Sequence, residues 1–423
     1  MATVLLLPNQ LFKHKYTRVV LWEHPEFFNE NFSKVVLLYR WVCLQNYKKE
    51  LEGNGVKVKY VRYDGSPSPG NYDFIEPANH QLEKQLKKLC GGKMLKSPQF
   101  LLSKKECEDY KVGKRLLHAS FYKYMRRKFD LLMKADQPLG GHWSYDTENR
   151  LGAKKHKGAL PDDLRPITQD LKAARHYLES NFPGAIGPSY EEALIHFPTT
   201  RSSARAWLRK FFDERLSRFG PYEDSIFRGH HRVYHAAISP MLNNGLLVPE
   251  DVLTLIRAAP KGSATLQSLE GFTRQIIGWR EYMRMTYAKY GKNTSALKKL
   301  HGKKLGKEFY KATTGVPPVD DAIRSVLATG YAHHIRRLMV LGVYMRLNNV
   351  HPMEIYRWFS ELFVDAYPWV MWSNVLGMSQ YVLRVPIVRK LYLCSSAYIL
   401  RMSDYKRGPW CGKWDSLYRA AKK

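Results

Sequence analysis

The hydrophobic period changes once along this chain, near Ser120, and that change limits the possible folds more than any other feature. Before it, Val4 to Leu7 and Val19 to Trp22 are apolar runs of strand length closed by turn residues, and VKVKYVRYD at 56–64 alternates as a strand does. Val35 to Leu51 and Gln81 to Leu89 carry helical patterns, and Gln99 to Leu102 is one more short apolar run. Strand and helix in alternation predict a doubly wound parallel sheet with a crevice at its strand ends. After Ser120 the strand patterns end. Phe121 to Met133 reads as a basic helix bearing Lys123, Arg126, Arg127 and Lys128; 137–150 is turn-rich, 154–163 is a charged connector, and helical patterns follow from Thr168 onward. The expected architecture is an α/β domain over 1–110, a connector over 111–170 and a large all-α domain over 171–423.

Charge narrows the partner. Lys and Arg number 68 against 38 Asp and Glu, a net +30, which suits a polyanion better than a small neutral substrate and puts nucleic acid first. Basic and aromatic residues interleave in TRSSARAWLRKFF, GHHRVYH and GWREYMRMTYAKY, a composition able to stack bases and hold phosphates. No apolar run has the length of a membrane span, and MATVLLLPNQLF lacks the basic start of a secretion signal. A soluble intracellular protein is expected, of the cytoplasm, the nucleoid or nucleus, or an organelle, with no membrane partner. The five scattered cysteines contain no C-x-x-C pair, which argues against a disulfide framework or a zinc site. No P-loop or dinucleotide fingerprint is present.

The densest stretch is 331–380. Ile335, Leu338, Met339, Gly342 and Met345 define one helical face, Ile355, Trp358, Phe359 and Phe363 a second, and Asn348, Asn349 and Pro352 mark the stop and restart between them. A plain core helix pair does not need the polar set at its edges: His333, His334, Arg336, Arg337, Asp365, Asn374 and Gln380.

Five segments in order, MRRKFDLLM with QPLGGHWSYDTENR, LEGFTRQIIGWREYMR, GYAHHIRRLMV, VDAYPW with NVLGMSQ, and SSAYILRMSDY, resemble the cryptochrome/photolyase superfamily, specifically the prokaryotic (6-4) photolyase or iron–sulfur bacterial branch. The resemblance spans about residues 100 to 405. It implies an FAD in the helical domain that, reduced and excited by blue light, passes an electron to a flipped-out pyrimidine photoproduct in DNA. Carried over by motif, Arg337 and Asp365 resemble the ion pair beside the flavin ring, and His235, Ser239 and Asn243 fall in the phosphate-binding turn and helix. Gln275, Trp279 and Arg280 resemble residues lining FAD and the lesion pocket, with Trp279 on the nucleic-acid side. His334, with His333 beside it, resembles the histidine that exchanges a proton with the (6-4) lesion, as an imidazole titrating near neutral pH can. Tyr392 and Tyr398 resemble aromatic residues of the lesion cavity, and Asp146 with Arg150 the lesion-side loop pair touching phosphate or a divalent ion. Arg126, Arg127 and Lys128 are the expected backbone contacts.

Several positions depart from that pattern. The four cluster cysteines fall at or near Pro318, Lys406, Pro409 and Cys411, so one thiolate is left where an iron–sulfur cluster needs four, and no cluster is expected. The acidic residue opposite flavin N5 falls at Met371. On the electron-transfer route Trp358 is kept, but Phe359 and Tyr310 replace carriers, which implies slow photoreduction or a detour through Trp369 or Trp372. Ala236 and Ala397 replace a serine and an asparagine, and Val382, Leu383, Arg384 and Val385 replace an ADGG-like run. The strand-end segments LLLPNQL and VVLWE resemble the pocket of a ribityl-lumazine antenna, with Asn9 in place of an aspartate and Glu23 kept. The leading expectation is a monomeric light-dependent (6-4) photolyase-like enzyme. The alternatives are a photolyase fold that has lost flavin photochemistry and serves as a basic nucleic-acid-binding subunit, on RNA or in a ribonucleoprotein, and a cryptochrome-type photoreceptor.

Overall fold

The computed structural model describes residues 3–422 apart from 14, 114, 115, 294, 384 and 386, and apart from the side chains of 263, 264, 295 and 296. Arg384 therefore lies outside the described residues. Five parallel strands, β1 (Thr3–Leu6), β2 (Arg18–Trp22), β3 (Lys57–Val61), β4 (Tyr72–Ile75) and β5 (Met94–Leu95), form a sheet in the order β3-β2-β1-β4-β5. The order reverses between β1 and β4, and the crevice at such a switch point is where parallel sheets bind ligands. Helix α1 (Lys34–Gly53) crosses from β2 to β3, its first turn capped by Ser33, whose hydroxyl accepts from Val36 N at 3.3 Å. Its Val35, Leu38, Val42 and Leu51 are all buried. Helix α2 (His80–Leu89) is capped by Asn79, which accepts from the Gln81 and Leu82 amides.

The short strands differ from expectation. YDFI at β4 and the two-residue β5 carry too little pattern to be read, while Gln99 to Leu102 forms turns instead of a strand. Gln99 instead joins the domains, donating from Nε2 to Asn243 O at 2.6 Å. After Ser120 one small antiparallel ladder pairs Met133–Lys134 with Gln137–Pro138. The expected helix to Met133 runs His118–Lys128 and ends there because Asp130 (φ 48) and Leu132 (φ 55) are left-handed.

The helical domain follows, and its polar features cluster where its helices widen. Three π-helical segments interrupt it among the described residues, at Arg274–Arg280, Arg336–Gly342 and Trp372–Ser379. Such widened turns recur at functional sites. The helix after Arg336–Gly342 closes at Leu347, Asn349 takes φ 53, and Pro352–Leu362 restarts, matching the stop and restart expected at Asn348, Asn349 and Pro352. No helix of the described residues is long and apolar enough to cross a membrane.

Candidate functional site

Arg337, on the second π-helical segment, makes a two-pronged ion pair with Asp365: its two terminal nitrogens donate to Oδ1 and Oδ2 at 2.9 Å each. Its Nε donates to Ala332 O, and the guanidinium lies 4.3 Å from the Phe363 ring centroid. Ser239, the first residue of the short helix Ser239–Asn244, donates to Asp365 Oδ2 at 2.5 Å, and Asn243 donates to the Asp365 carbonyl at 2.8 Å. Arg280, at the end of the first π-helical segment, donates to Gln99 O at 2.8 Å and to Asn243 Oδ1 at 3.3 Å. It lies about 5 Å from both Phe100 (4.9 Å) and Trp369 (5.0 Å), and burial lowers its pKa to about 10. Gln275 is half-buried one turn earlier, and Met371 is buried on the helix Pro368–Met371.

One turn before Arg337, three imidazoles meet. His235 stacks on His333 at 4.5 Å and 18°, and His334 packs edge-on to His235 at 5.4 Å. His333 is 1% exposed with neither ring nitrogen bonded, and burial holds its pKa well below the usual histidine range. His235 sits between the carbonyls of Arg232 and Glu223, its pKa pushed down to about 3 by burial, so its ring is neutral and carries one N–H for two acceptors. His334 alone is exposed, with Nε2 3.2 Å from Asp224 Oδ1. Burial raises the phenol pKa values of Tyr392 and Tyr398; Asp224 adds to this second at Tyr398 and, after Asp146, at Tyr392, so the charge of one carboxylate reaches both half-buried tyrosines.

Beside this group, Arg274 is buried among Asp146, Glu223 and Glu270, at 3.0, 3.3 and 3.3 Å. Asp146 also takes a 2.7 Å bond from Arg150; burial acts to raise its pKa, but Arg274 and Arg150 outweigh it and the pKa is lowered. Asp224, Arg274 and Glu223 were not singled out from the sequence. The acidic pair in PYEDSIF, inside a basic stretch, was the available signal.

The basic contacts divide. Arg126 is a correction: it is fully buried and donates to the carbonyls of Leu131, Leu132 and Trp143, so its guanidinium folds the 131–143 turn and has no access to phosphate. Lys128 is exposed but paired with Glu106 at 2.8 Å, and Arg127 lies open over the Trp143 ring at 4.7 Å. One face of Trp279 is taken by His118, stacked at 3.8 Å and 9°.

The chain is 31% identical over 402 residues, 88% of its own length and 78% of the relative's, to a (6-4) photolyase of Agrobacterium fabrum. This chain belongs to the cryptochrome/photolyase superfamily. Residues 4–193 match the deoxyribodipyrimidine photo-lyase-related protein family, and 272–392 match the FAD binding domain of DNA photolyase. Its fold is similar to that of a Synechocystis cryptochrome (TM-score 0.61, 16% identity, 99% of this chain and 87% of that one). It is also similar to that of a bacterial class III photolyase from Agrobacterium tumefaciens (TM-score 0.53, 14% identity, 88% and 83%). Both halves of the expected architecture, parallel sheet and helical FAD-binding domain, are thus those of the superfamily.

Of the residues expected to hold FAD, Ser239, Asn243, Arg280, Arg337 and Asp365 are joined by hydrogen bonds, and Arg337 with Asp365 fits a group that gathers negative charge at its edge. Ser239 and Asn243 fit less directly, because the Ser239 hydroxyl and one N–H of Asn243 are already given to Asp365. Trp358 is buried and donates to Phe309 O at 3.0 Å, with Phe359 edge-on at 5.2 Å. Tyr310 is half-buried, and Trp369 and Trp372 are buried with their indole N–H groups unpaired. Cys411 is buried, and its helix is tied down by Trp414 Nε1 to Cys394 O (2.8 Å) and Lys413 Nζ to Thr314 O (2.7 Å).

At the sheet switch point lies a cavity of about 180 Å³, bordered by Asn9, Arg40, Tyr367 and Trp369. Asn9 Oδ1, Arg40 Nε and Trp369 Nε1 are buried there without partners. Glu23, expected in the same pocket, is not on its wall. It accepts from Tyr177 at 2.6 Å, from Tyr60 and from the Tyr63 amide, and so closes the sheet edge.

Proposed function

We propose that this protein is a light-dependent DNA repair flavoprotein of the (6-4) photolyase type, without an iron–sulfur cluster. The observation that carries the reading is the placement of His334 and Arg337 three residues apart, one open to solvent beside Asp224, the other locked to Asp365. One helix thereby faces a substrate and a cofactor. The resemblance to a (6-4) photolyase supports the lesion class. Reduced FAD, when bound and excited, supplies the electron that drives repair. With FAD bound, the Arg337 guanidinium, fixed by Asp365, would offset negative charge on the reduced ring, and Arg280 would add a second cation. Ser239 Oγ and Asn243 Nδ2, now bonded to Asp365, would be the donors to hold the diphosphate.

With Nε2 of His334 on Asp224, Nδ1 is free to exchange a proton with the lesion. Tyr392 and Tyr398, protonated at neutral pH and pushed further up by burial, act there as hydrogen-bond donors. Arg150 and Arg127 hold the phosphate backbone, and flipping costs less at a damaged pair, which stacks poorly. Of Pro318, Lys406, Pro409 and Cys411 only the last offers sulfur, which supports the reading without a cluster. The switch-point cavity, with its unpaired Asn9, Arg40 and Trp369 atoms, is the proposed seat of a ribityl-lumazine antenna.

The test is an oligonucleotide carrying one (6-4) photoproduct, incubated with flavin-loaded, reduced protein. Lesion loss in blue light and none in darkness is expected; an intact lesion in light refutes repair. The closure of Ser239 and Asn243 on Asp365, with Met371 buried nearby, favours a second reading: a fold kept for its basic surface without flavin. A chain that stays colourless after incubation with FAD would select it.

A further inference from the structure

Between Lys289 and Lys311 there are eight lysines and a single acidic residue, Glu308. Lys292, Lys298, Lys299, Lys303, Lys304 and Lys307 are exposed, and among the described residues none of them is in an ion pair. Runs of like charge usually belong to loose tails. This one is fastened to the helical body. Lys303 N donates to Asn349 O at 2.7 Å, His351 N donates to Lys303 O at 2.8 Å, and Leu305 N donates to Glu354 Oε2 at 3.3 Å. Gly302 permits the contact, since a Cβ there would come within 2.5 Å of His351 Cα. The fold therefore anchors the backbone at 303–305, and the lysine side chains around it are exposed.

Next to them runs a groove of about 460 Å³, floored by Leu300, Leu347, Val350 and Leu393 and walled by His301 and Arg346. Its location separates it from the proposed lesion site. Leu347 and Val350 lie at or just past the C-terminal end of the helix over 336–347, and His334 lies at the other end, about 18 Å away at ~1.5 Å per residue. The groove also differs in chemistry: its lining is mostly aliphatic with His301 and Arg346 among it, exposed lysines flank it in the chain, and it has none of the stacked aromatics of the histidine end.

We propose that the lysines of 292–307 and the adjoining groove form a second polynucleotide-binding surface, one that grips the sugar–phosphate backbone of undamaged nucleic acid without reading bases. Lysine ammoniums are point charges suited to phosphate, and the aliphatic floor offers contact to sugars but no stacking platform. The surface goes beyond the repair reading and does not depend on it.

The test is fluorescence anisotropy in darkness, with labelled undamaged duplex DNA and single-stranded RNA of equal length, across a salt series. The variant K298E/K299E/K303E/K304E is compared with K84E/K88E/K93E/K96E, which makes the same charge change at exposed lysines of the sheet domain. The first should weaken binding about tenfold or more and reduce the salt slope by about three to four, while the second leaves the slope unchanged. Gly302→Ala, which keeps every lysine but disturbs their footing, should also weaken binding. Preference between the DNA and RNA arms identifies the partner. Equal losses in both lysine variants, no loss in either, or equal competition by polyglutamate would overturn the proposal. Neither flavin nor light enters the readout, so its failure is distinguishable from failure of the repair reading.

Discussion

His333 stands just before the helix that carries Arg337, one turn away, yet the two are at opposite ends of polar saturation. Every nitrogen of Arg337 is bonded, and both Asp365 oxygens are taken. His333 is as buried as a core leucine and has no partner on either nitrogen. A desolvated ion pair persists when each lone pair and proton is met, whereas an unpaired buried polar group costs about 1–3 kcal/mol. The first is a pair whose polar groups satisfy one another. The second is a neutral ring whose cost the surrounding packing carries, with His235 stacked against it.

The comparison is broken most severely at Asp365. Asp365→Ala strands a guanidinium that is mostly buried, so a loss of about 3 kcal/mol in denaturant unfolding is expected, together with loss of FAD retention. Unchanged stability would mean that the pair is not closed in solution. His333→Phe works in the opposite sense, because it removes an unpaired imidazole and keeps a ring. Stability at neutral pH should hold or rise. Since the folded pKa lies below the unfolded one, the unfolded chain binds the proton first, and stability is lost as pH falls below about 6.5. The variant should lose less on acidification, by up to about 1.4 kcal/mol per pH unit, and an identical acid profile would contradict a buried neutral His333. His334→Ala should change stability least, within about 0.5 kcal/mol, because the residue is exposed. It should nonetheless abolish lesion repair at unchanged FAD content, and unchanged repair would remove His334 from the mechanism.

The sequence made the fold legible where patterns were long. β2, α1, β3 and the paired helices of 331–380 stand close to where periodicity put them, because each buries a continuous face. β4 and β5 were illegible, being four and two residues held by neighbours instead of by their own pattern. In the site, Arg337 and Asp365 were readable by motif, but Asp224 was not, since its meaning comes from His334, 110 positions away. Arg126 misled for a related reason: a basic residue on a basic helix looks like a phosphate contact until the carbonyls of the following turn are seen around it. Glu23 was likewise taken for a pocket residue and is a hub for two tyrosines. The three π-helical segments found among the described residues have no sequence signal of their own.

The account rests on the Arg337–Asp365 group being a flavin seat that opens at Ser239 and Asn243. The direct measurement is an FAD titration of the purified chain, followed by absorbance and by quenching of flavin fluorescence, beside Asp365→Ala. One flavin per chain, with retention lost in the variant, is the predicted result. A chain that takes up no FAD, or a variant that holds it equally well, would contradict the account.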